Sequence, residues 1–246
     1  MIHDTAIIHE HAKLGRNVSV GPFSVIHANV EIADNVTIGS QCELGIQSPL
    51  SDGSPLIINE SSTIRSHSVF YESSQFGRNL TTGHRVTVRE NTRAGEGLQI
   101  GTLSDFQGHC TIGDHVRTHS NVHIGQESTV GDYVWIFPYV VLTNDPHPPS
   151  NYRAGVSIED FAVIATMSVV LPGVTVGKGA LVGSHSNVTL DVADDVVVVG
   201  NPAKEICKTS DIKLKDNNDI SAYPWRKHFH RGYPEAVVKE WIESFE

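Results

Sequence analysis

His123 stands 18 residues after Asp105, and Glu127 stands 18 after His109. A histidine held by a carboxylate is a common device for moving a proton. The carboxylate fixes the tautomer and steadies the imidazolium, and the second ring nitrogen accepts the proton. Asn144 stands 18 after Gln126, adding amide groups able to position an amine or a carbonyl. Three pairs at one spacing matter only if the chain stacks residues 18 apart, so the elements that carry them come next.

A period of six runs from Ile8 to Val192 with two interruptions. Hexads open at Ile8, Leu14, Val20, Ile26, Ile32, Ile38 and Leu44, resume from Ile58 to Leu142, and finish from Ile158 to Val188. Of 28 hexads, 26 open on an apolar residue; Thr82 and Thr118 are the exceptions. The fifth position holds mostly small residues such as Ser24, Cys42, Cys110, Ser128 and Ala180, which suit a narrow interior. Such a repeat predicts a solenoid in which each hexad gives a short strand and a corner. Three hexads close a triangular coil of about 18 residues, about nine coils stack, and neighbouring coils pair as parallel strands. Helix is disfavoured, since six fits neither 3.6 nor 3.5 and Val, Ile, Thr and Gly abound. Gly follows the opening residue in 13 hexads, Gly83, Gly101 and Gly125 among them, where a sharp corner is expected to use its freedom in φ.

The two interruptions predict loops that leave the coil and return in register, at 49–57 and 144–157. Beyond Asn201-Pro202-Ala203-Lys204 the period is lost. A polar stretch leads to a basic and aromatic cluster around Trp225, Arg226, Lys227 and Arg231, and Pro234 to Phe245 has amphipathic helical spacing. Residues 1–206 are therefore expected to form the solenoid and 207–246 an extension. The extension either caps the open end or a neighbouring subunit, or brings Arg226 and its neighbours to a phosphate.

Composition narrows the function. A net charge of −10 disfavours extended contact with nucleic acid or an anionic membrane, although a local basic pocket can still hold one anion. Three cysteines make no disulfide framework, and Cys42 and Cys110 occupy interior positions. With no apolar run of membrane length and the repeat beginning almost at Met1, no membrane insertion is expected and a cytoplasmic location is.

The hexad series, ending in Val198-Val199-Gly200-Asn201-Pro202-Ala203-Lys204, resembles the hexapeptide-repeat acyltransferases over residues 2 to about 206. The resemblance implies an all-β, left-handed parallel β-helix, a homotrimer, and an acyl-CoA bound between subunits. Within the family, Val141-Leu142-Thr143-Asn144 opening into a proline-containing loop is most similar to the N-acetyltransferases of nucleotide-linked amino sugars, where the residue at Asn144 belongs to the active site. That similarity implies acetyl-CoA as co-substrate and a role in surface-polysaccharide synthesis. It implies donor contacts at Ala165, Thr166, Lys178, Gly183, Ser184, Pro202 and Lys204. Where the lipid-precursor O-acyltransferases carry a catalytic His-Asp, this chain has Gln126-Glu127, and glutamine is no general base.

For acyl transfer to an amine, His123 with Asp105 is the first candidate pair and His109 with Glu127 the second; Asn144 helps to orient the reactants. Gln126, Asp145, His147 and Arg226 are the candidate acceptor contacts. A departing thiolate that itself takes the proton is the alternative to a histidine base. Other functions compatible with the repeat are sugar O-acylation, a γ-type carbonic anhydrase and a non-enzymatic assembly role. His109, His115, His119 and His123 fall at four places that scatter over the prism, so no metal site is expected.

Overall fold

The computed structural model describes residues 1–223 and 232–243. The chain winds as a three-sided parallel β-solenoid. The first sheet begins at Ile7–Ile8 and has ten strands, the second begins at Lys13–Leu14 and has nine, and the third begins at Ser19–Val20 and has eleven. Each strand of the solenoid pairs with the one a coil later, 18 residues on except across the two loops and at the last coil, where Leu181↔Val197 are 16 apart; Asp105↔His123 and Phe106↔Ile124 show the regular spacing. There are about 11 turns rather than nine. Ile2 already bridges Val20, and the hairpin of Val196–Gly200 with Ala203–Lys208 extends the third sheet beyond the hexads, so counting hexads alone falls short.

Opening residues of the hexads fill the core, with Phe70, Phe76 and Phe106 fully buried. The buried serines at the fifth position satisfy their hydroxyls within the wall: Ser68 Oγ donates to Arg65 O at 2.7 Å and accepts from Val86 N at 3.3 Å. Burial pushes the Cys110 thiol up to about 12, consistent with a packing role.

The glycines work differently from the expectation. Among the 13, only Gly45 is left-handed, at φ 87°. The left-handed corner residues come at the fourth position of the hexad and are mostly not glycine, for example His109 (φ 52°), Asn121 (φ 60°) and Glu127 (φ 65°), with Gly97, Gly173 and Gly179 as exceptions. Glycine is needed instead because the next coil passes too close: a Cβ on Gly83 would collide with the Thr102 backbone, and one on Gly101 with that of His119.

Both loops leave from the edge between the first and second sheets. One connects Glu43–Ile46 to Leu56–Ile58, the other Val141–Leu142 to Ser157–Ile158. The register is recovered each time, as Glu31↔Ile57 and Thr129↔Ser157 show. The terminal helix, Glu235–Glu243, packs on the flank of the solenoid. Its Trp241 is buried edge-on against Tyr133 and Phe161, at centroid distances of 4.6 and 4.8 Å, and the upper third sheet contributes Val163, Leu181 and Val197. No helix among the described residues is long and apolar enough to cross a membrane.

Candidate active site

Parallel pairing puts Asp105 and His123 side by side on the outer face of the first sheet, and His123 Nδ1 lies 3.1 Å from Asp105 Oδ2. Both side chains are about one-third exposed, at 39% and 35%. Burial raises the Asp105 carboxyl, but hydrogen bonds from His123 and Gln107, with the charges of His123 and Arg89, outweigh it and hold the group below its ordinary value. Asp105 is therefore an acceptor at neutral pH, so the His123 proton belongs on Nδ1. Among the described residues Nε2 has no partner, which leaves it available as a base.

Sequence spacing missed Gln107. Its Nε2 donates to the same Asp105 Oδ2 at 2.5 Å, two residues along rather than 18. An amide two positions beyond a strand carboxylate, on the same face, was the available signal.

The second histidine pair does not form. His109 and Glu127 occupy successive left-handed corners of the first–second edge, but the His109 ring meets Asn91 Nδ2 at 3.3 Å. Asn91 also donates to Leu50 O at 2.9 Å, so its amide ties His109 toward the first loop and away from Glu127.

Asn144 lies over Gly125, two residues beyond His123: a Cβ on that glycine would approach Asn144 Cβ to 3.1 Å and Cγ to 3.2 Å. Its carbonyl accepts from Ala154 N at 2.8 Å, closing the mouth of the second loop. Gly155 then packs directly on the Glu127 backbone. Gln126 is half-buried on the same edge.

Asp145 is the staple of that loop rather than a free ligand. It accepts from Ser150 Oγ (2.6 Å), Ser150 N (2.8 Å) and His147 N (3.0 Å), with Arg153 at 3.4 Å. The Ser150 hydroxyl, more than any other contact, holds its carboxyl below the usual range. His147 is left exposed at the loop surface. Arg226 lies outside the described residues.

The expected donor contacts divide. Ala165 and Thr166 lie on the edge between the third and first sheets, and Gly183 and Ser184 lie one coil further along it, next to the face that carries His123. Gly183 is pressed on Val199, and Ser184 is exposed. Lys178 belongs to a different edge, between the second and third sheets, 3.5 Å from Asp160 and 5.2 Å above the Phe161 ring. Pro202 turns the terminal hairpin, and Lys204 is exposed on its outgoing strand, opposite Val199. The four histidines scatter: His109 is on the first–second edge, His115 stacks on Tyr133, His119 stacks on Phe137 and His123 is on the first sheet.

Residues 11–45 match the family model described as bacterial transferase hexapeptide (six repeats). The chain is 38% identical over 94 residues to a 2,3,4,5-tetrahydropyridine-2,6-dicarboxylate N-acetyltransferase of Staphylococcus aureus strain bovine RF122 / ET3-1, which is 38% of each chain. The protein of that name from strain JH9 is 36% identical over 105 residues, 43% of this chain and 38% of the relative. The matches thus span well under half of those relatives. An Arabidopsis UDP-N-acetylglucosamine acyltransferase superposes over 99% of this chain and 88% of its own, at a TM-score of 0.68 and 17% identity, a likeness of fold. What the chain shares with these proteins is the hexapeptide repeat, matched by the family model at residues 11–45, and the three-sided solenoid that the repeat builds.

Proposed function

We propose that the protein is an acetyl-CoA-dependent N-acetyltransferase acting on the amino group of a nucleotide-linked amino sugar, in surface-polysaccharide synthesis and as a homotrimer. The observation that carries the chemistry is the His123–Asp105 pair, with Nδ1 committed to a carboxylate and Asn144 lying over Gly125, two residues further along the chain. The N-acetyltransferase names of the partial relatives support an amine acceptor. The amino-sugar class rests on the resemblance of the Asn144 segment.

In this reading the amine attacks the thioester carbonyl. His123 Nε2 takes the amine proton as the C–N bond forms, and Asp105 stabilises the resulting imidazolium. Asn144 offers an amide donor for the oxyanion. Collapse of the tetrahedral intermediate breaks the C–S bond, and the imidazolium returns the proton to the leaving thiolate. The donor's arm runs along the edge of Ala165, Thr166, Gly183 and Ser184, which adjoins this face.

The test incubates the protein with acetyl-CoA and a panel of uridine- and thymidine-linked amino sugars, plus the tetrahydropyridine dicarboxylate of the relatives' names, following free thiol and product mass. One acetyl added to a sugar amine is expected. Acetylation of the dicarboxylate alone, or thiol release only with hydroxyl acceptors, replaces the amino-sugar reading. His123→Asn is expected to lower kcat by about 10²–10⁴-fold, and His109→Asn by less than about threefold. A His123→Asn enzyme within about tenfold of wild type removes the general base.

A further inference from the structure

The outer face of the third sheet is divided. Its upper strands are covered by the tail, whose Tyr233 hydroxyl accepts from Trp135 Nε1 at 2.8 Å and whose Gly232 carbonyl accepts from Arg117 at 2.7 Å. Below this lies a cleft of about 400 Å³. Four successive coils explain it. At one position of the repeat they carry Arg65, Gly83, Gly101 and His119, so two coils without a side chain separate a cation from a ring. From the Arg65 coil to the His119 coil is three strand spacings, about 14 Å.

Three further features distinguish the cleft from a gap between corners. The two hexads that break the apolar rule, at Thr82 and Thr118, both line it. Arg65 is exposed, and among the described residues its guanidinium has no ion-pair partner, although the protein is acidic overall. At the other end are the rings of His119 and Trp135, with the Arg117 guanidinium 4.9 Å from the Trp135 ring centre. Cations, flat rings, and a floor with the Thr81 and Gln99 side chains suit a ligand that is anionic over part of its length and planar at one end.

We infer that this third-sheet cleft binds a nucleoside diphosphate group, with Arg65 on the phosphates and the base toward His119 and Trp135. The same chemistry occurs in a nucleotide-linked sugar and in the nucleotide half of an acyl-CoA, and the assignment of the cleft does not depend on which is bound. Three residues join His119 to His123 around the third–first edge, four Cα steps or at most about 14 Å of chain, so a ligand seated here can extend toward the first-sheet pair.

Isothermal titration of the intact protein with UDP, TDP and 3′-phosphoadenosine 5′-diphosphate tests this. Saturable binding of at least one is expected. Arg65→Ala is expected to weaken it about tenfold or more, with the melting temperature unchanged because the side chain is exposed. Gln99→Glu, also at an exposed position, is expected to weaken it by placing a negative charge on the floor. Arg85→Ala, outside the cleft, and His123→Asn are expected to leave it intact. Binding of UDP or TDP alone assigns the cleft to the acceptor's carrier, and binding of the adenine nucleotide alone assigns it to the acyl donor. No saturation by any of the three up to about 5 mM overturns the inference, as does affinity equal in wild type and Arg65→Ala. Because binding is read without turnover, failure here is distinct from failure of the acetyl-transfer proposal, for which His123→Asn is the probe.

Discussion

The two loops leave the same edge of the prism and are built alike, yet they relate to the wall in opposite ways. Each is tied by an aspartate to a nearby serine: Ser54 Oγ to Asp52 at 2.6 Å in the first, Ser150 Oγ to Asp145 at 2.6 Å in the second. The first is also rooted in the solenoid. Ser51 Oγ donates to the buried Glu72 at 2.7 Å, Asn29 reaches that carboxylate at 3.2 Å, and Asn91 holds Leu50 O. The second closes mainly on itself through Ser150 and Arg153, and rests on the wall where Ala154 meets Asn144 and Gly155 meets Glu127. A loop rooted in a buried carboxylate is part of the scaffold. A loop that closes on itself beside Asn144 is free to serve the site.

The largest effect that would break this contrast comes from Glu72→Ala. It removes the buried carboxylate from the network of Asn29 and Ser51, which keep Gly53 O, Ser54 O and Ser73 Oγ as partners, and is expected to cost about 2–4 kcal/mol in chemical denaturation, with kcat of the folded fraction within about threefold of wild type. A large loss of kcat at full stability would make the first loop catalytic. Next is Gly155→Ala, whose methyl collides with the Glu127 carbonyl. It is expected to cost about 1–3 kcal/mol and, by shifting Asn144, to lower kcat/KM about tenfold; steady-state kinetics on the folded variant checks this. A third, smaller effect is in the acid limb of stability. Asp52, held down to about 2 by the Ser54 hydroxyl, and Asp145, held down chiefly by Ser150, are depressed in the fold. Their contributions are therefore present above the unfolded carboxylate value of about 3.9 and fade as pH falls through the folded one. Asp52→Asn and Asp145→Asn should each flatten the melting temperature measured between about pH 4 and 2. Smallest is Asn91→Ala, which frees His109 and Leu50 O at a partly exposed corner. A loss of about 1 kcal/mol with unchanged turnover is expected, and a clear fall in turnover would return His109 to the chemistry.

The parts of this arrangement legible in the sequence are those fixed by the repeat. Once hexads stack three to a coil, subtraction of 18 puts Asp105 against His123, as the structure has it, and Asn144 above Gln126, where the structure instead brings Asn144 against Gly125, one residue earlier. Subtraction gives adjacency, not bonding: His109 and Glu127 are equally well stacked, yet an asparagine one coil below takes the ring. Contacts that do not follow the vertical period were not legible. Gln107 reaches Asp105 along the strand, Asp145 turns into its own loop, and Lys178 lies on another edge from Ala165 because its hexad turns a different corner. The role of the glycines was misplaced for a related reason. Spacing along one chain does not report how closely the next coil passes. The flank docking of the tail depends on Tyr133 and Phe161, two aromatic residues at left-handed corners where the period predicts nothing about side-chain size.

The register on either side of the loops has a consequence for how such a chain can change. Across the first loop Glu31 pairs with Ile57, and across the second Thr129 pairs with Ser157; every strand beyond each loop continues as if nothing had been inserted. The first–second edge thus works as a port through which length can be added without altering the wall. A segment grafted between Gly108 and His109, at one of the four undecorated corners between the two loops, would hang beside the His123 face and leave the downstream register unchanged. New acceptor specificity can in this way be gained one loop at a time, with the load of folding carried by coils that never see the insertion.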